Sequence, residues 1–289
     1  MSSLPVSGVL LVLAGVVAGC KAERPAGNAA SAPAAAPAAP ATATVTITAT
    51  DFKLELPAQI PAGAVTLHLV NHGKELHQAQ LIRLEDGKTV ADFAKAMKTN
   101  GPPPSWAKWV GGPNGIAPDQ EANTSTALTP GHYVVLCIIP GLDGVPHMMK
   151  GMIQPLEVTA ATDAASDQLP AASDTVRMGD YSFTESRPFT PGHHTILVQN
   201  TGPQVHELVL LKLAPGKTTG DFGKWAEEGM KGPPPAMPVG GVGAIEKGAT
   251  GVFAADLTPG DYGFICFVPD IKDGKPHLAH GMIKQFKVG

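Results

Sequence analysis

The chain has 289 residues, enough for two ordinary domains, and its formal net charge is −4 with no strong bias in either half. That balance excludes the basic face that nucleic acid binding needs. Only 16% of the residues are charged, while 33 Gly and 28 Pro promise many turns and few long helices, the composition of an all-β chain.

In chain order, Val9 to Val17 is an apolar run closed by Val17-Ala18-Gly19-Cys20. This run is too short to span a bilayer comfortably and reads as a targeting segment. The Val-Ala-Gly-Cys stretch resembles a bacterial lipobox, in which Cys20 would be lipidated and become the new N-terminus. Residues 1–19 are then the signal peptide, although Met1 to Pro5 carries no Lys or Arg. Residues 20–43, almost all Ala, Pro, Gly, Ser and Thr, read as a tether that would reach roughly 70 Å if extended. The expected location is the cell envelope, lipid-anchored to the membrane and facing the periplasm or the cell exterior.

Thr44 to Leu56 and Ala64 to Val70 alternate as strands do, and Gln78 to Leu84 is a further strand. Thr89 to Lys98 has helical spacing, with Val90, Phe93, Ala94 and Met97 on one face, and the Pro run from Pro102 ends it. A Gly/Pro-rich excursion extends to about Asn123. Next, Tyr133, Val135 and Cys137 share one face of a strand, and Val134, Leu136 and Ile138 share the other. Both faces are apolar, so the strand is internal. Ile153 to Val158 closes the first domain, 44–160, and residues 161–172 are a low-complexity linker. The second domain, 173–289, repeats the plan and ends on Phe286-Lys287-Val288-Gly289.

The repeat itself is explicit. Asn71, His77 and Cys137 recur as Asn200, His206 and Cys266, each 129 residues later. Leu128-Thr129-Pro130-Gly131-His132-Tyr133 recurs as Leu257-Thr258-Pro259-Gly260-Asp261-Tyr262. His147 and Met152 recur as His277 and Met282 at an offset of 130, so one residue was gained between Cys and His. The sequence holds three cysteines, and with Cys20 assigned to the lipobox, Cys137 and Cys266 remain at equivalent points of two domains. An exported compartment is oxidising, so lone thiols there need a reason, and metal ligation explains them better than a disulfide joining two interiors.

Each copy supplies two imidazoles, a thiolate and a thioether, the donor set that suits copper in an electron-transfer site. The sets are His77, Cys137, His147 and Met152, and His206, Cys266, His277 and Met282. The first copy reads Cys137-Ile138-Ile139-Pro140, then His147 with Gly151-Met152 behind it. The second reads Cys266-Phe267-Val268-Pro269, then His277 with Gly281-Met282. Together with the Asn-x-Gly segment before the first His and Gly-x-Tyr before Cys, these motifs resemble the cupredoxins, the blue-copper family that includes plastocyanin and azurin. The resemblance implies two tandem Greek-key β-sandwich domains, each with a short helical insertion. It also implies one type 1 copper per domain, up to two in all, held by those eight residues. Two departures stand out. The Cys-to-His loops are longer than is usual in the family, with turns at Asp143-Gly144 and Asp273-Gly274. Gln78 and Glu207 follow the first His, where the family often has Asn or Asp.

Of the other residues, His280 reads as solvated, and His68, His72, His132, His193 and His194 as surface or strand residues. Tyr133 and Tyr262 resemble tyrosine-corner residues. Helices carrying Trp106, Trp109 and Trp225 are expected to cover a sheet end. No His flanks Cys137 or Cys266, and there is no His-x-His pair. The expectation is therefore a carrier and not an enzyme, working with a redox partner protein. The alternatives are copper holding or delivery to a copper acceptor, to which Met148, Met149 and Met152 are suited, or a copper-free interaction module.

Overall fold

A computed structural model describes residues 42–98, 104–161 and 166–289. The signal peptide, Cys20 and nearly all of the tether lie outside the described residues, as do 162–165 of the linker. The first lobe comprises β1 (Ala43–Thr50), β2 (Lys53–Glu55), β3 (Gln59–Pro61), β4 (Gly63–Asn71), β5 (Gln80–Leu84), α1 (Val90–Ala96), β6 (Ala107–Gly111), β7 (Glu121–Leu128), β8 (Gly131–Leu136) and β9 (Ile153–Thr159). The second lobe comprises β10 (Asp174–Gly179), β11 (Ser182–Glu185), β12 (Gly192–Asn200), β13 (His206–Leu213), α2 (Thr219–Glu227), β14 (Ala236–Ile245), β15 (Thr250–Leu257), β16 (Gly260–Ile265) and β17 (Ile283–Val288).

The alternating pattern of 44–56 is broken at Asp51-Phe52, so that β1 and β2 form a hairpin in place of one strand. β1 then pairs parallel with β4, and β10 with β12. The expected excursion to Asn123 contains β6 and the start of β7. Trp109 lies on β6, and Trp106 packs edge-on to Phe93 at 6.4 Å from the turn before it, so only Trp225 sits on a helix. The Gly and Pro that mark this stretch as irregular provide bends between strands and do not abolish them.

The strands form two layered sheets, and both run through the two lobes. One has the order β11-β10-β12-β15-β7-β4-β1-β2 and the other β17-β16-β13-β14-β6-β5-β8-β9-β3. The two faces of β8 part as the alternation requires. Tyr133, Val135 and Cys137 join Ile47, Leu67 and Leu81 between the sheets, while Val134, Leu136 and Ile138 pack with Phe93 beneath α1. The second lobe repeats this, with Tyr262, Phe264 and Cys266 between the sheets and Ile265 beneath Phe222 of α2. Each helix starts with a capping box, Thr89 with Asp92 and Thr218 with Asp221. Tyr133 Oη donates to Thr129 O at 2.9 Å, and Tyr262 Oη accepts from Thr258 N at 3.2 Å, which closes both tyrosine corners.

The lobes meet by strand pairing about a pseudo-two-fold axis. Thr124 pairs with its own counterpart Phe253, and Pro113 with its counterpart Val242. Val110 pairs with Ile245, and the counterparts Ile116 and Val239 pair in turn. Buried polar contacts seal the junction. The Gln80 amide donates to Ala244 O at 3.0 Å and accepts from Ala244 N at 2.7 Å. Asn114 Nδ2 donates to Glu207 Oε2, Leu208 O and Val242 O, each at 3.2 Å. Side chains of the first lobe thus saturate backbone and carboxylate groups of the second.

Candidate metal centres

Each ligand side chain is delivered by a different device. Cys137 and Cys266 stand one residue past β8 and β16, on the strand face that points between the sheets. His206 opens β13, and His77 lies three residues before β5, bridged to Ile116. Asn71 holds the segment before His77, donating to Glu75 O at 2.9 Å and Ile116 O at 3.2 Å while Gly73 N donates to its Oδ1 at 2.8 Å. Asn200 repeats this with Gln204 O, Ile245 O and Gly202 N. The Asn-x-Gly glycine has a steric cause. A Cβ on Gly73 would stand 2.5 Å from His77 Nε2, and one on Gly202 would stand 2.7 Å from His206 Nε2.

The long Cys-to-His loops fold out as small hairpins and bring His back. Pro140 bridges to Pro146 and Pro269 to Pro276, and Gly141 N donates to Val145 O at 2.9 Å. His147 and His277 then open a single 3-10 turn. Its backbone is pinned to the cysteine: Met148 N donates to Cys137 O at 2.8 Å and Cys137 N to Met152 O at 3.1 Å. Met152 and Met282 are fully buried beside this turn.

The structure brings His77, Cys137 and His147 together, and likewise His206, Cys266 and His277, with the donor atoms of each set within 4.8 Å of one another and all six residues buried. In the first lobe the two Nδ1 atoms are 3.1 Å apart and Cys137 Sγ lies 3.5 Å from His147 Nδ1. In the second lobe the distances are 3.0 Å and 3.5 Å. Two imidazole nitrogens bonded to one first-row metal at about 2.0–2.1 Å, near-tetrahedrally, would stand about 3.3 Å apart. The spacing therefore fits a single ion between them.

The far side of each ring fixes the proton. His77 Nε2 faces Asp51 Oδ1 at 2.8 Å, and His147 Nε2 faces Glu75 Oε2 at 3.1 Å. A carboxylate only accepts, so both Nε2 atoms carry hydrogen and both Nδ1 lone pairs face each other beside the thiol. Burial lowers the pKa of His77, His147 and His206, and takes His277 down to about 4, helped by the neighbouring His206. A proton is thus disfavoured in that gap. Burial also pushes the Cys137 thiol up to about 12, with a rise at Cys266 as well, so the thiol stays protonated until a cation displaces its hydrogen.

Sequence reading missed the outer carboxylates. Asp51 and Asp180, the latter 2.8 Å from His206 Nε2, share the repeat offset and could have been found by listing every polar residue kept in both copies. Glu75 differs between copies, as Gln204, and leaves no such trace. Glu207 follows His206 where the first copy has Gln78. Burial raises its pKa, yet it accepts from Phe267 N at 3.0 Å and from Asn114, so it braces the residue beside Cys266 across the lobe junction.

His68, His132 and His193 pair with Glu121, Glu157 and Asp256 away from both centres, and His194 is buried against Asp174. His280 comes within 4.8 Å of Asp270 and Asp273, but Asp270 already accepts from Tyr181, Gln204 and Lys272 N. Met148 belongs to the cluster beneath α1, Met152 to the core between the sheets, and Met149 is 41% exposed. The three sulfurs do not share one face.

Fold and site together define a two-lobed cupredoxin-like protein with a buried His, Cys, His cluster in each lobe. No protein-family model matches the chain, and no curated protein matches its sequence. Among solved structures, reduced auracyanin from Roseiflexus castenholzii resembles a single lobe, with 21% identity over 41% of this chain and 98% of its own, at a TM-score of 0.30. A copper nitrite reductase from Nitrosomonas europaea matches 86% of this chain and 94% of its own, at 15% identity and a TM-score of 0.26. A multicopper oxidase matches 85% and 88%, at 14% and 0.23. These likenesses concern the fold.

They also correct one expectation. The expectation that the chain is not an enzyme meets a contrary finding: the solved structures that match most of its length include a multicopper oxidase and copper nitrite reductases, which are enzymes. The expectation rested on a missing His-x-His pair and a missing His beside each Cys. Ligands for a second metal can be gathered from residues far apart in sequence, so the absence of a local pair does not decide the matter.

Proposed function

We propose that this chain binds one copper ion in each lobe and transfers electrons at the surface of a membrane, to which a lipid on Cys20 anchors it. The observation that carries the reading is the pair of Nδ1 atoms, 3.1 Å apart beside a buried thiol in the first lobe, with both Nε2 atoms facing carboxylates. Such a gap suits a cation. Two imidazoles and one thiolate would hold copper, with a thioether from Met152 or Met282 as a further soft donor, and copper would supply one-electron exchange between its two oxidation states. The residues do the rest. Burial of all six keeps water from the centre. Backbone hydrogen bonds from Cys137 and Met148 hold the loop in one geometry, so little has to rearrange when charge changes. Asp51 and Asp180 fix the ring orientation. The implied partner is a redox protein of the cell envelope or exterior. Copper delivery to an acceptor is less well supported, because Met148, Met149 and Met152 diverge.

Addition of Cu(II) to the mature protein should give an intense visible thiolate-to-copper band that reductant bleaches and oxidant restores. Cys137→Ser and Cys266→Ser should each leave one copper, and the double variant should be colourless. Copper bound without that band would show the donor set to be wrong, and no bound copper would favour the copper-free module.

A further inference from the structure

We propose that Glu75 and Gln204 hold the two centres at different reduction potentials, with the first lobe's the lower. The inference rests on the copper reading above and concerns what distinguishes the two centres. The lobes agree in both His ligands, the Cys, the Met, the Asp on the first ring, the Asn brace and its Gly. They differ at the residue after the first His, Gln78 against Glu207, and at the outer nitrogen of the second His. In the first lobe His147 Nε2–H donates to the Glu75 carboxylate at 3.1 Å. In the second lobe His277 Nε2 faces the Gln204 amide oxygen at 3.4 Å. Glu75 and Gln204 stand 129 residues apart and are therefore equivalent positions.

A hydrogen bond to a carboxylate is shorter and about twice as strong as one to a neutral acceptor. It draws the imidazole toward imidazolate and makes Nδ1 a stronger donor. The more highly charged oxidation state gains more from that donor, so the carboxylate favours Cu(II) and lowers the potential of the first centre. Gln204 cannot substitute for it. Its Oε1 also accepts from Ile271 N at 3.0 Å, and its Nε2 donates to Asp270 Oδ2 at 2.9 Å, so the amide is locked and its oxygen shared. Asp270 stands 3.9 Å from His277 Nε2, outside hydrogen-bond range, and its Oδ2 accepts from Tyr181 and Gln204. Glu207, where the first lobe has Gln78, touches Phe267 N and Asn114 and no ring of either ligand, and its charge reaches the Cys266 thiol only through space. An electron entering the protein therefore comes to rest in the second lobe, with the first lobe as the stronger donor.

The test uses the full mature chain with the visible band as a site-resolved probe. Cys266→Ser leaves the first centre and Cys137→Ser the second, and each is titrated potentiometrically. The first midpoint is expected below the second. Glu75→Gln in the Cys266→Ser background should lower the ratio of Cu(II) to Cu(I) affinity about tenfold and so raise the midpoint by about 59 mV for one electron. Gln204→Glu in the Cys137→Ser background should lower the second midpoint comparably. If Glu75→Gln fails to fold or bind copper, Gln204→Glu carries the test alone, since it adds the charge to the other centre. Equal midpoints in the two parent proteins, or an unmoved midpoint in a variant that keeps band and stoichiometry, overturn the proposal. Absence of the band from the wild type would instead overturn the copper reading, and it is seen before any variant is made.

Discussion

Burial of Cys137 has a measurable consequence for how metal affinity depends on pH. The ion bonds the thiolate, so binding must displace the thiol proton. With the thiol at about 12, forming the thiolate at pH 7 costs about 7 kcal/mol, whereas an ordinary thiol near 8.5 costs about 2 kcal/mol. The imidazoles add nothing, because burial lowers their pKa values and leaves them neutral at pH 7. Each ion should therefore release about one proton. Affinity should rise about tenfold per pH unit from pH 7 through pH 9.5, whereas an ordinary thiol would level off above about 8.5. The sign follows from the raised pKa: the metal-free protein holds its proton to high pH, so higher pH always favours the metal-bound form. The assay is competition for Cu(I) against a chelator of known pH-dependent affinity, with Cys266→Ser isolating the first centre and Cys137→Ser the second. A plateau near pH 8.5 would refute the reasoning, because it would mean the thiol meets water when no metal is bound.

Other expectations concern the junction and the anchor. Asn114→Ala removes three hydrogen bonds across the lobes and leaves the Glu207 carboxylate with its Phe267 partner alone. It should cost about 1–3 kcal/mol in urea unfolding, and a loss below about 0.5 kcal/mol would mean the contact is dispensable. Residues 44–160 expressed alone would expose the edge of β7, whose partner in the whole chain is its own counterpart β15. This half is expected to self-associate through that edge, and a folded monomer in analytical ultracentrifugation would show the lobes to be autonomous. The native protein should sediment with membranes and Cys20→Ala should release it. Retention of the variant after a salt wash would rule out a lipid on that residue.

The repeat offset, the lone cysteines and the order His, Cys, His, Met were all legible in the sequence, because ligand identity and strand alternation are local properties. The alternation Tyr133, Val135, Cys137 against Val134, Leu136, Ile138 even stated which face of β8 carries the thiol. The helix at Val90 was legible for the same reason, since its apolar spacing and the Pro run after it lie within a dozen residues. Residues 107–111 escaped, because their strand character comes from pairing with β5 and β14 and not from their own Gly/Pro-rich surroundings. Three things were decided only by tertiary structure. Asp51 and Glu75 reach the outer ring nitrogens of His77 and His147 from positions that no ligand motif marks. The two halves share both sheets, joined by β7 with β15 and β6 with β14. The long Cys-to-His loops return His147 and His277 to the cysteines by folding into hairpins. The physical reason is common to all three. A sequence shows which groups are present and in what order, but a hydrogen bond across 26 or 72 residues exists only once the chain has closed around it.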